Sequence, residues 1–385
     1  MKQEALRWLV CPAKVGARRC HGTLQVEQEM SVWDEDPQES LEAILRCDSC
    51  KRTYPVVCGI PMLMDELPKY LRRNYYFLVG CCRAVGSLSN EMQAALLNYV
   101  LLDLKTGEEE LFPTARRYTR EAQLDFLTGI GPYLCNHYDD LGSLVKPSDP
   151  LYEFLRAYST RNPHTVLEGF AARYSNGGQG LALDIGCHVG GFTALQAQRS
   201  RFVYGLDVSF ESLLLASQIL KGRPKRLDRY RFYQEGTKYQ WRNLHAPRCQ
   251  NVEFVVAEGG NLPFKASSVD TVSSCNVVDI VPQPMQLIDE KVRVLKKGGL
   301  LLLSDPYEFY GVRFKRLETR SRKSPLRVIK QKLASQIRIV QEEDDVPWIT
   351  QTYNRSYMIY YNHSLAGIKG KPKKHPKERS THAQA

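Results

Sequence analysis

The pattern of hydrophobic and polar positions divides this chain into a helical part and a part with short strands. Within 65–180, apolar residues recur at roughly helical spacing, most densely in 71–104, so this region is predicted to be mainly helical. From Leu181 the pattern changes to apolar runs of strand length. Leu181–Ile185 is followed by glycines, by a helix predicted from Phe192, and by a strand that ends at Asp207. This order of elements indicates an α/β fold.

The glycine turn after the first of these strands carries the candidate chemistry. Gly186, Gly190 and Gly191 permit a tight turn and a close approach of the backbone to a ligand. Asp207, 23 residues after Asp184, ends the next strand, where a carboxylate can accept hydrogen bonds from both ribose hydroxyl groups. Together, these features predict half of a nucleoside-binding site.

The acid in front of the turn restricts the kind of nucleoside. The run Asp184-Ile-Gly186-Cys-His-Val-Gly190 lacks the glycine spacing of a loop that cradles a pyrophosphate, and the Asp184 carboxylate would repel a diphosphate. The same carboxylate is compatible with a ligand that has a cationic end. S-adenosylmethionine, with its sulfonium and amino groups, fits this description.

Four segments in order make the sequence resemble the class I S-adenosylmethionine-dependent methyltransferases. After the glycine turn come 258–264, then 268–272 entering a fourth strand, and 292–299 before a fifth strand at 300–303. The resemblance implies an α/β fold with a Rossmann-like methyltransferase sheet whose last strand is antiparallel. The alternative is another α/β protein in which the glycine turn is merely structural.

The resemblance also assigns the cofactor site. It implies that Asp184 and Gly186 hold the aminocarboxypropyl end, that Asp207 holds the ribose, and that Glu258, where aspartate is commoner, contacts the adenine. The full set of implied cofactor-binding residues is Asp184, Gly186, His188, Gly190, Asp207, Glu258 and Gly259.

His188 departs from the family pattern, because many members have glycine at this position. Its imidazole either takes part in binding or chemistry next to the cofactor, or is a tolerated substitution that points outward. Cys187, in the same turn, is expected to be a small packing residue, because no base is near it in the sequence.

The polar residues after the fourth and fifth strands are the candidates for catalysis. Asn276 and Asp279 follow the fourth strand, and Tyr307 follows the fifth, at strand ends where an acceptor can be oriented. Asp279 is the candidate base for the acceptor's proton. The predicted reaction is in-line methyl transfer to a nitrogen, oxygen or sulfur nucleophile, in which alignment supplies most of the acceleration.

The end of the fold narrows the acceptor further. Two antiparallel strands, 337–341 and 356–365, are predicted to be joined by 342–348. This end and the candidate catalytic residues resemble the methyltransferase domain of ovothiol-biosynthesis enzymes, which methylates an imidazole nitrogen of a thiol-bearing histidine. This chain is not expected to contain the sulfur-inserting domain that accompanies that family, so the same substrate does not follow.

Four cysteines in 1–64 predict a second, smaller domain. Cys11, Cys20, Cys47 and Cys50 offer four thiolates, a ligand set that favours structural zinc and leaves no open position for substrate. The surrounding residues resemble the small zinc ribbon that activates tRNA and translation-factor methyltransferases. Because Cys11 and Cys20 enclose eight residues where two are usual, His21 or Cys58 is an alternative ligand. A ribbon that binds no metal is the other alternative.

The net charge of +11 is concentrated in two segments. Residues 313–338 hold ten Lys or Arg and one acid, and 369–379 hold six and one, so the rest of the chain carries about −3. The first segment either meets phosphates or is a solvated helix face. The second belongs to a proline-broken tail, 369–385, that is predicted to be disordered.

These observations predict four regions: a zinc-ribbon-like domain at 1–64, a helical linker or lid at 65–180, a methyltransferase domain at 181–368 and the basic tail at 369–385. The chain contains no apolar run approaching the length of a membrane span, and a cytoplasmic location is expected.

The predicted function is methyl transfer from S-adenosylmethionine to a small molecule, an imidazole or thiol-histidine-like metabolite being one candidate. One alternative is an RNA or translation-factor methyltransferase that uses the basic segment and the ribbon to bind an RNA or protein partner. A non-catalytic scaffold that retains the fold is the other. No membrane partner is expected.

Overall fold

The computed structural model describes residues 1–102, 119–175, 180–236, 238–309 and 324–370, with the backbone alone for 120–125, 127–128 and 143. The strands are β1 (Lys14–Val15), β2 (Arg18–Arg19), β3 (Leu24–Trp33), β4 (Asp36–Cys47), β5 (Thr53–Val57), β6 (Ile60–Pro61), β7 (Leu181–Ile185), β8 (Phe202–Asp207), β9 (Arg229–Glu235), β10 (Lys238–Asn243), β11 (Val252–Val256), β12 (Val269–Cys275), β13 (Leu295–Asp305), β14 (Ile337–Tyr353) and β15 (Ser356–Lys369).

The helices are α1 (Leu67–Ala84), α2 (Asn90–Leu101), α3 (Arg120–Tyr138), α4 (Leu141–Leu144), α5 (Tyr152–Tyr158), α6 (Pro163–Tyr174), α7 (Gly191–Ala197), α8 (Phe210–Leu220), α9 (Pro284–Val294) and α10 (Pro325–Ala334). A single 3₁₀ turn, Gln3–Trp8, precedes β1. The region predicted to be helical therefore contains α1 to α6 among its described residues. No described helix has both the length and the apolar character that crossing a membrane requires.

The central sheet has seven strands in the order β11-β8-β7-β12-β13-β15-β14. Strand β15 runs antiparallel to both of its neighbours, and the other pairs are parallel. Strands β7 and β11 are buried along their whole length, which is why they read as continuous apolar runs in the sequence. The predicted Rossmann-like sheet with an antiparallel last strand is confirmed.

The prediction of a loop at 342–348 was wrong, because these residues lie within β14. They pair with β15 through Glu342↔Leu365, Val346↔Asn362 and Trp348↔Tyr360, and the chain turns only after Tyr353. Register shifts within the acidic run allow the charged residues to remain in the strand. Pairing with a long partner strand therefore outweighed the polar composition of this segment.

The first 64 residues form a four-stranded antiparallel sheet, β3-β4-β5-β6, beside the short β1-β2 hairpin. This unit packs against the β11 edge of the central sheet. The backbone N–H of Leu63 donates to Val256 O at 2.8 Å, and that of Val10 donates to Pro263 O at 2.9 Å. The edge strand is thereby covered rather than left with unpaired backbone groups.

Two of the basic regions lie only partly within the described structure. Of 313–338, residues 324–338 are described and contain α10 and the start of β14, whereas 313–323 lie outside the described residues. The predicted disordered tail is described only at Lys369 and Gly370.

Candidate functional site

Three strained turns at one edge of the sheet mark the candidate site. His188, Asn276 and Tyr307 follow β7, β12 and β13, three adjacent strands, and have φ angles of 50°, 55° and 54°. Residues other than glycine adopt this left-handed backbone conformation at a cost of about 1–3 kcal/mol each, and such residues cluster at functional sites. The carboxyl edge of the parallel strands is also where ligands bind in open α/β sheets.

The glycine turn packs its backbone tightly against the neighbouring strands. The N–H groups of Gly186 and Cys187 both donate to Leu206 O, at 2.7 and 3.1 Å. Gly186 has a φ of +72°, and a Cβ at this position would overlap Val277 Cγ2. Glycine is therefore required here by both the backbone conformation and the space available.

Replacing Gly186 with alanine is expected to lower the free energy of unfolding by about 2–4 kcal/mol, because the strained φ and the overlap with Val277 act together. Gly169→Ala is the matched control. A Cβ on Gly169, within α6, meets nothing within 4 Å, so this change should be neutral or stabilising. Urea unfolding of both variants measures the difference, and equal stabilities would contradict the argument.

Asp184 supports the turn from below. Its carboxylate accepts hydrogen bonds from Thr193 Oγ1 at 2.8 Å and from Ser273 Oγ at 2.9 Å. Only 2% of the residue is exposed, and burial raises the pKa of this carboxyl to about 6. This geometry gives Asp184 a positioning role under the loop, and direct contact with the aminocarboxypropyl end stays a prediction.

Asp207 lies beside the turn at the end of the adjacent strand. One carboxylate oxygen accepts from the N–H of His188 at 3.0 Å, and the other accepts from the N–H of Ser209 at 2.9 Å. These bonds fix the orientation of the carboxylate, and each oxygen keeps a second lone pair. Asp207 can therefore accept hydrogen bonds from hydroxyl groups while it holds the loop in place.

Glu258 and Gly259 stand on the far side of Asp207, directly after β11. Glu258 is exposed, and partial desolvation together with the nearby Glu66 raises the pKa of its carboxyl. A Cβ on Gly259 would approach Leu287 Cδ1 to 2.8 Å, so a larger residue would displace the packing here. Glu66 precedes α1, so the residues between the cysteine-rich sheet and the helical region border the predicted adenine end.

The C-terminal half of α3 lies over the glycine turn. His137 Nδ1 accepts from the N–H of Gly191 at 3.1 Å, and Tyr138 OH donates to Val189 O at 2.6 Å. The Tyr133 ring stands 4.3 Å from the His188 ring. His137 and Tyr138 therefore contact the turn directly, whereas Asp140 caps α4 by accepting a hydrogen bond from the N–H of Gly142.

A group of aromatic rings surrounds His164 next to the C-terminal half of α3. His164 lies 5.1 Å from His137, 5.0 Å from Trp348 and 5.4 Å from Phe192, measured between ring centroids. Burial lowers the pKa of His164 to about 4. The folded protein therefore holds this imidazole neutral at physiological pH.

This neutral histidine predicts an acid-sensitive contribution to stability. A histidine whose folded pKa is depressed binds its proton more readily in the unfolded chain, so stability falls as pH drops from about 6.5 towards 4. His164→Phe should remove about 2–3 kcal/mol of this pH dependence, because phenylalanine preserves the ring packing without titrating. Urea unfolding at pH 7.5 and pH 4.5 measures the difference, and identical pH profiles would exclude the effect.

The candidate catalytic residues lie on the other side of the turn. Asn276 Oδ1 accepts from Asn362 Nδ2 at 2.6 Å, and Asp279 Oδ2 accepts from the N–H of Glu308 at 3.0 Å. Asp279 is 5% exposed and Tyr307 is 9% exposed. The Tyr307 hydroxyl and Asn362 Oδ1 are buried without a hydrogen-bond partner among the described residues. Such orphaned atoms are rare in folded proteins and are consistent with a polar ligand.

Asp305 organises these strand ends. Its carboxylate accepts from the N–H groups of Val277, Val278 and Tyr307 at 2.8–3.0 Å, and burial together with Asp279 raises its pKa. Lys291 is fully buried nearby, where it donates to Ser274 Oγ, and burial lowers its pKa to about 7. Neither group was among the site residues predicted from the sequence.

Four other residues near the site were not predicted from the sequence. Tyr133 and Trp348 are not part of any recognisable sequence motif. His164 lies within α6, where its position looks like that of an ordinary helix residue. Asn362 did leave a signal, because Asn362-His363-Ser364 is a polar run at the start of the buried part of β15. A polar residue at a buried strand position requires a partner, and here that partner includes Asn276.

The four predicted metal ligands do come together. The sulfur atoms of Cys11, Cys20, Cys47 and Cys50 all lie within 4.8 Å of one another, with 3.5 Å between Cys11 and Cys50 and 3.6 Å between Cys20 and Cys47. A tetrahedral zinc site with Zn–S bonds of about 2.3 Å needs sulfurs about 3.8 Å apart. The thiol set therefore fits structural zinc.

The space around the thiols supports the same fit. A Cβ on Gly22 would approach Cys47 Sγ to 2.5 Å, so glycine leaves room for the cluster. His21 and Cys58, the alternative ligands, are not members of this cluster. Cys58 instead lies with its Sγ 3.6 Å from that of Cys82 and 3.2 Å from Ser87 O.

The chain resembles known methyltransferases over limited lengths. Residues 183–303 match a family described as a methyltransferase domain. An uncharacterised methyltransferase of Mycobacterium leprae (strain Br4923) is 53% identical over 51 residues, which are 13% of this chain and 19% of that protein. The chain thus covers about a fifth of that relative's length.

Two solved structures are also similar. A SAM-dependent methyltransferase from Aquifex aeolicus has 17% identity and a TM-score of 0.34, over 57% of this chain and 94% of its own. The complex between the Haloferax volcanii Trm112 methyltransferase activator and a methyltransferase has 15% identity and a TM-score of 0.36, over 65% of this chain and 99% of the other. The matched domain at 183–303 and the strand order together support a class I S-adenosylmethionine-dependent methyltransferase.

Proposed function

We propose that this chain transfers a methyl group from S-adenosylmethionine to a small-molecule nucleophile. The observation that carries the proposal is the meeting of the glycine turn, the oriented Asp207 carboxylate and three strained turns at one edge of the sheet. A purely structural glycine turn would not require strain in the two neighbouring strand ends as well.

The residues present fit the cofactor. The backbone from Gly186 to Gly190 would border its aminocarboxypropyl end, Asp207 would accept its ribose hydroxyl groups, and Glu258 with Gly259 would border its adenine. When bound, S-adenosylmethionine supplies an electrophilic methyl group on a sulfonium. His188, with its ring beside Tyr133, would shield this region from water.

The acceptor would be oriented by Asn276 and Tyr307, with Asp279 as the group that accepts its proton. The closed surroundings favour a compact acceptor, because Asp279, Tyr307 and Asn362 are each less than 10% exposed. The unpartnered Tyr307 hydroxyl and Asn362 carbonyl oxygen suit a polar molecule with N–H or O–H groups, and an imidazole or thiol-histidine-like metabolite meets this requirement.

A labelling experiment tests the proposal. The purified, zinc-replete protein is incubated with methyl-labelled S-adenosylmethionine and a cell extract, and the products are separated by size. We expect label in the small-molecule fraction and none with Asp279→Asn, which loses the base while its shape is retained. Unchanged turnover of Asp279→Asn would remove Asp279 from the mechanism.

The other outcomes select the alternatives. Ribonuclease- or protease-sensitive label in the large fraction would overturn the small-molecule acceptor in favour of RNA or protein. If S-adenosylhomocysteine does not bind to the zinc-replete protein, the scaffold is favoured over any methyltransferase. If S-adenosylhomocysteine binds but no labelled product forms, the extract does not contain the acceptor. Imidazole thiols would then be added directly.

A further inference from the structure

The hairpin formed by β9 and β10 has two very different faces. Residues on its inner face pack against α3, where Tyr230 OH donates to Asp139 Oδ2 at 2.6 Å and Arg242 Nη1 lies 3.3 Å from the same oxygen. The Arg242 guanidinium also stacks 3.6 Å from the centre of the Phe232 ring. These contacts hold the hairpin to the helix that covers the glycine turn.

On the outer face four side chains stack on one another, and the buried Tyr233 beside them lies 5.6 Å from Tyr239, measured between ring centroids. Arg229 and Arg231 alternate along β9, and Tyr239 and Trp241 alternate along β10, with Trp241 opposite Arg231. The alternation of a strand places all four on the same side. Tyr239 is 40% exposed and Trp241 is 48% exposed, so large aromatic surfaces face the solvent. We call these four residues the arginine–aromatic face.

The arginines lie on the rings rather than on acids. The Arg229 guanidinium is 4.6 Å from the centre of the Trp241 ring, and that of Arg231 is 4.7 Å from Tyr239 and 5.2 Å from Trp241. Within the part of the chain that the structure describes, neither guanidinium pairs with a carboxylate. Their N–H groups therefore remain available for an anion, and the stacking holds the planar groups in position.

The charge of the surrounding segment agrees with an anionic partner. Residues 221–248 hold nine Lys or Arg and only two acids, a basic region that the sequence analysis did not single out. Lys221, Arg223 and Arg242 are committed to Glu39, Glu253 or Asp139. Arg229 and Arg231 of the outer face form no such ion pair within the described structure, so their charge is not neutralised there by a carboxylate.

We infer that the arginine–aromatic face binds single-stranded nucleic acid. Exposed aromatic rings offer stacking surfaces to bases of any sequence, and guanidinium groups beside them can contact the phosphates of the same strand. The described strands β9 and β10 contain no aliphatic side chain, which disfavours both an apolar protein interface and insertion into a membrane. This inference does not depend on the proposed methyl transfer.

The direct test measures binding of fluorescently labelled short oligo(U) RNA and oligo(dT) DNA to the full-length protein by anisotropy, at about 50–200 mM salt. Trp241→Ala should weaken binding roughly tenfold or more, because the stacking surface for a base is removed. Trp241→Phe keeps a ring and should retain most of the affinity. Melting temperatures of both variants establish that the hairpin remains folded.

The arginines are tested by the salt dependence. The double change Arg229→Ala with Arg231→Ala should reduce the slope of log affinity against log salt by about 0.7 for each phosphate that is no longer neutralised. Lys297→Ala, at an exposed position near the start of β13, removes a charge outside the hairpin and outside 313–338, and it should leave the affinity nearly unchanged.

Three outcomes would overturn the inference: no binding of either oligonucleotide at about 50 mM salt, equal binding by Trp241→Ala and the unaltered chain, or Trp241-dependent binding of phosphatidylserine vesicles without binding of oligonucleotides. S-adenosylhomocysteine affinity is measured on the same preparations. A protein that binds this nucleoside but no oligonucleotide refutes the surface alone, whereas the reverse result refutes the cofactor site alone.

Discussion

Replacing Asp207 with alanine is expected to weaken the binding of S-adenosylhomocysteine by about 100-fold. The Asp207 carboxylate has two roles in the proposed site. It accepts hydrogen bonds from the N–H groups of His188 and Ser209, and it would accept hydrogen bonds from the ribose hydroxyl groups. Each hydrogen bond to a charged group contributes about 1.5–3 kcal/mol, so the loss of two reaches the stated factor. Isothermal titration calorimetry measures the affinity directly.

Two further variants make the result specific to the ribose role. Asp207→Asn retains one acceptor oxygen and the side-chain shape, so we expect an intermediate affinity. Asp289→Ala removes a carboxylate that is 54% exposed on α9 and pairs with Lys332, and it should bind the nucleoside normally. If Asp207→Ala binds as tightly as the unaltered chain, the ribose role is wrong and the glycine turn is reduced to a structural element.

The predicted zinc site at the thiol cluster leads to the second prediction with a large expected effect. Cys50→Ser should release zinc and lower the melting temperature by about 10 °C or more, since zinc coordination provides much of the folding free energy of small cysteine-rich units. Elemental analysis and calorimetry measure the two quantities on the same sample.

Cys81→Ser is the matched control for this change, because Cys81 is a partly buried thiol outside the cluster. It should leave zinc content unaltered. Should Cys50→Ser keep both its metal content and its melting temperature, the metal-free ribbon would be the correct description of residues 1–64.

The position of the cysteine-rich sheet gives this second prediction a further consequence. The sheet and the residues after it contact β11 through Leu63 and bring Glu66 close to Glu258, at the predicted adenine end. Zinc release is therefore expected to weaken S-adenosylhomocysteine binding as well. Normal nucleoside affinity in a protein that has released its zinc would show that the two sites are independent.

Part of this protein follows from the sequence alone. The strands β7 and β8, the turn between them and the four clustered thiols were predictable, because each depends on local spacing: an apolar run, a glycine that tolerates a positive φ, or thiols in two groups. The antiparallel last strand followed from the resemblance to a family, and the strand order confirms it.

Tertiary structure decided the remainder. The acidic run at 342–345 became strand because β15 pairs with it, and His137 reached the glycine turn because α3 packs against α7. Asp184 proved to be buried beneath its turn, and the basic hairpin gained an outer face of rings and guanidinium groups. In each case the deciding contact joins residues on different secondary-structure elements, and its free energy depends on burial and pairing that local spacing does not encode.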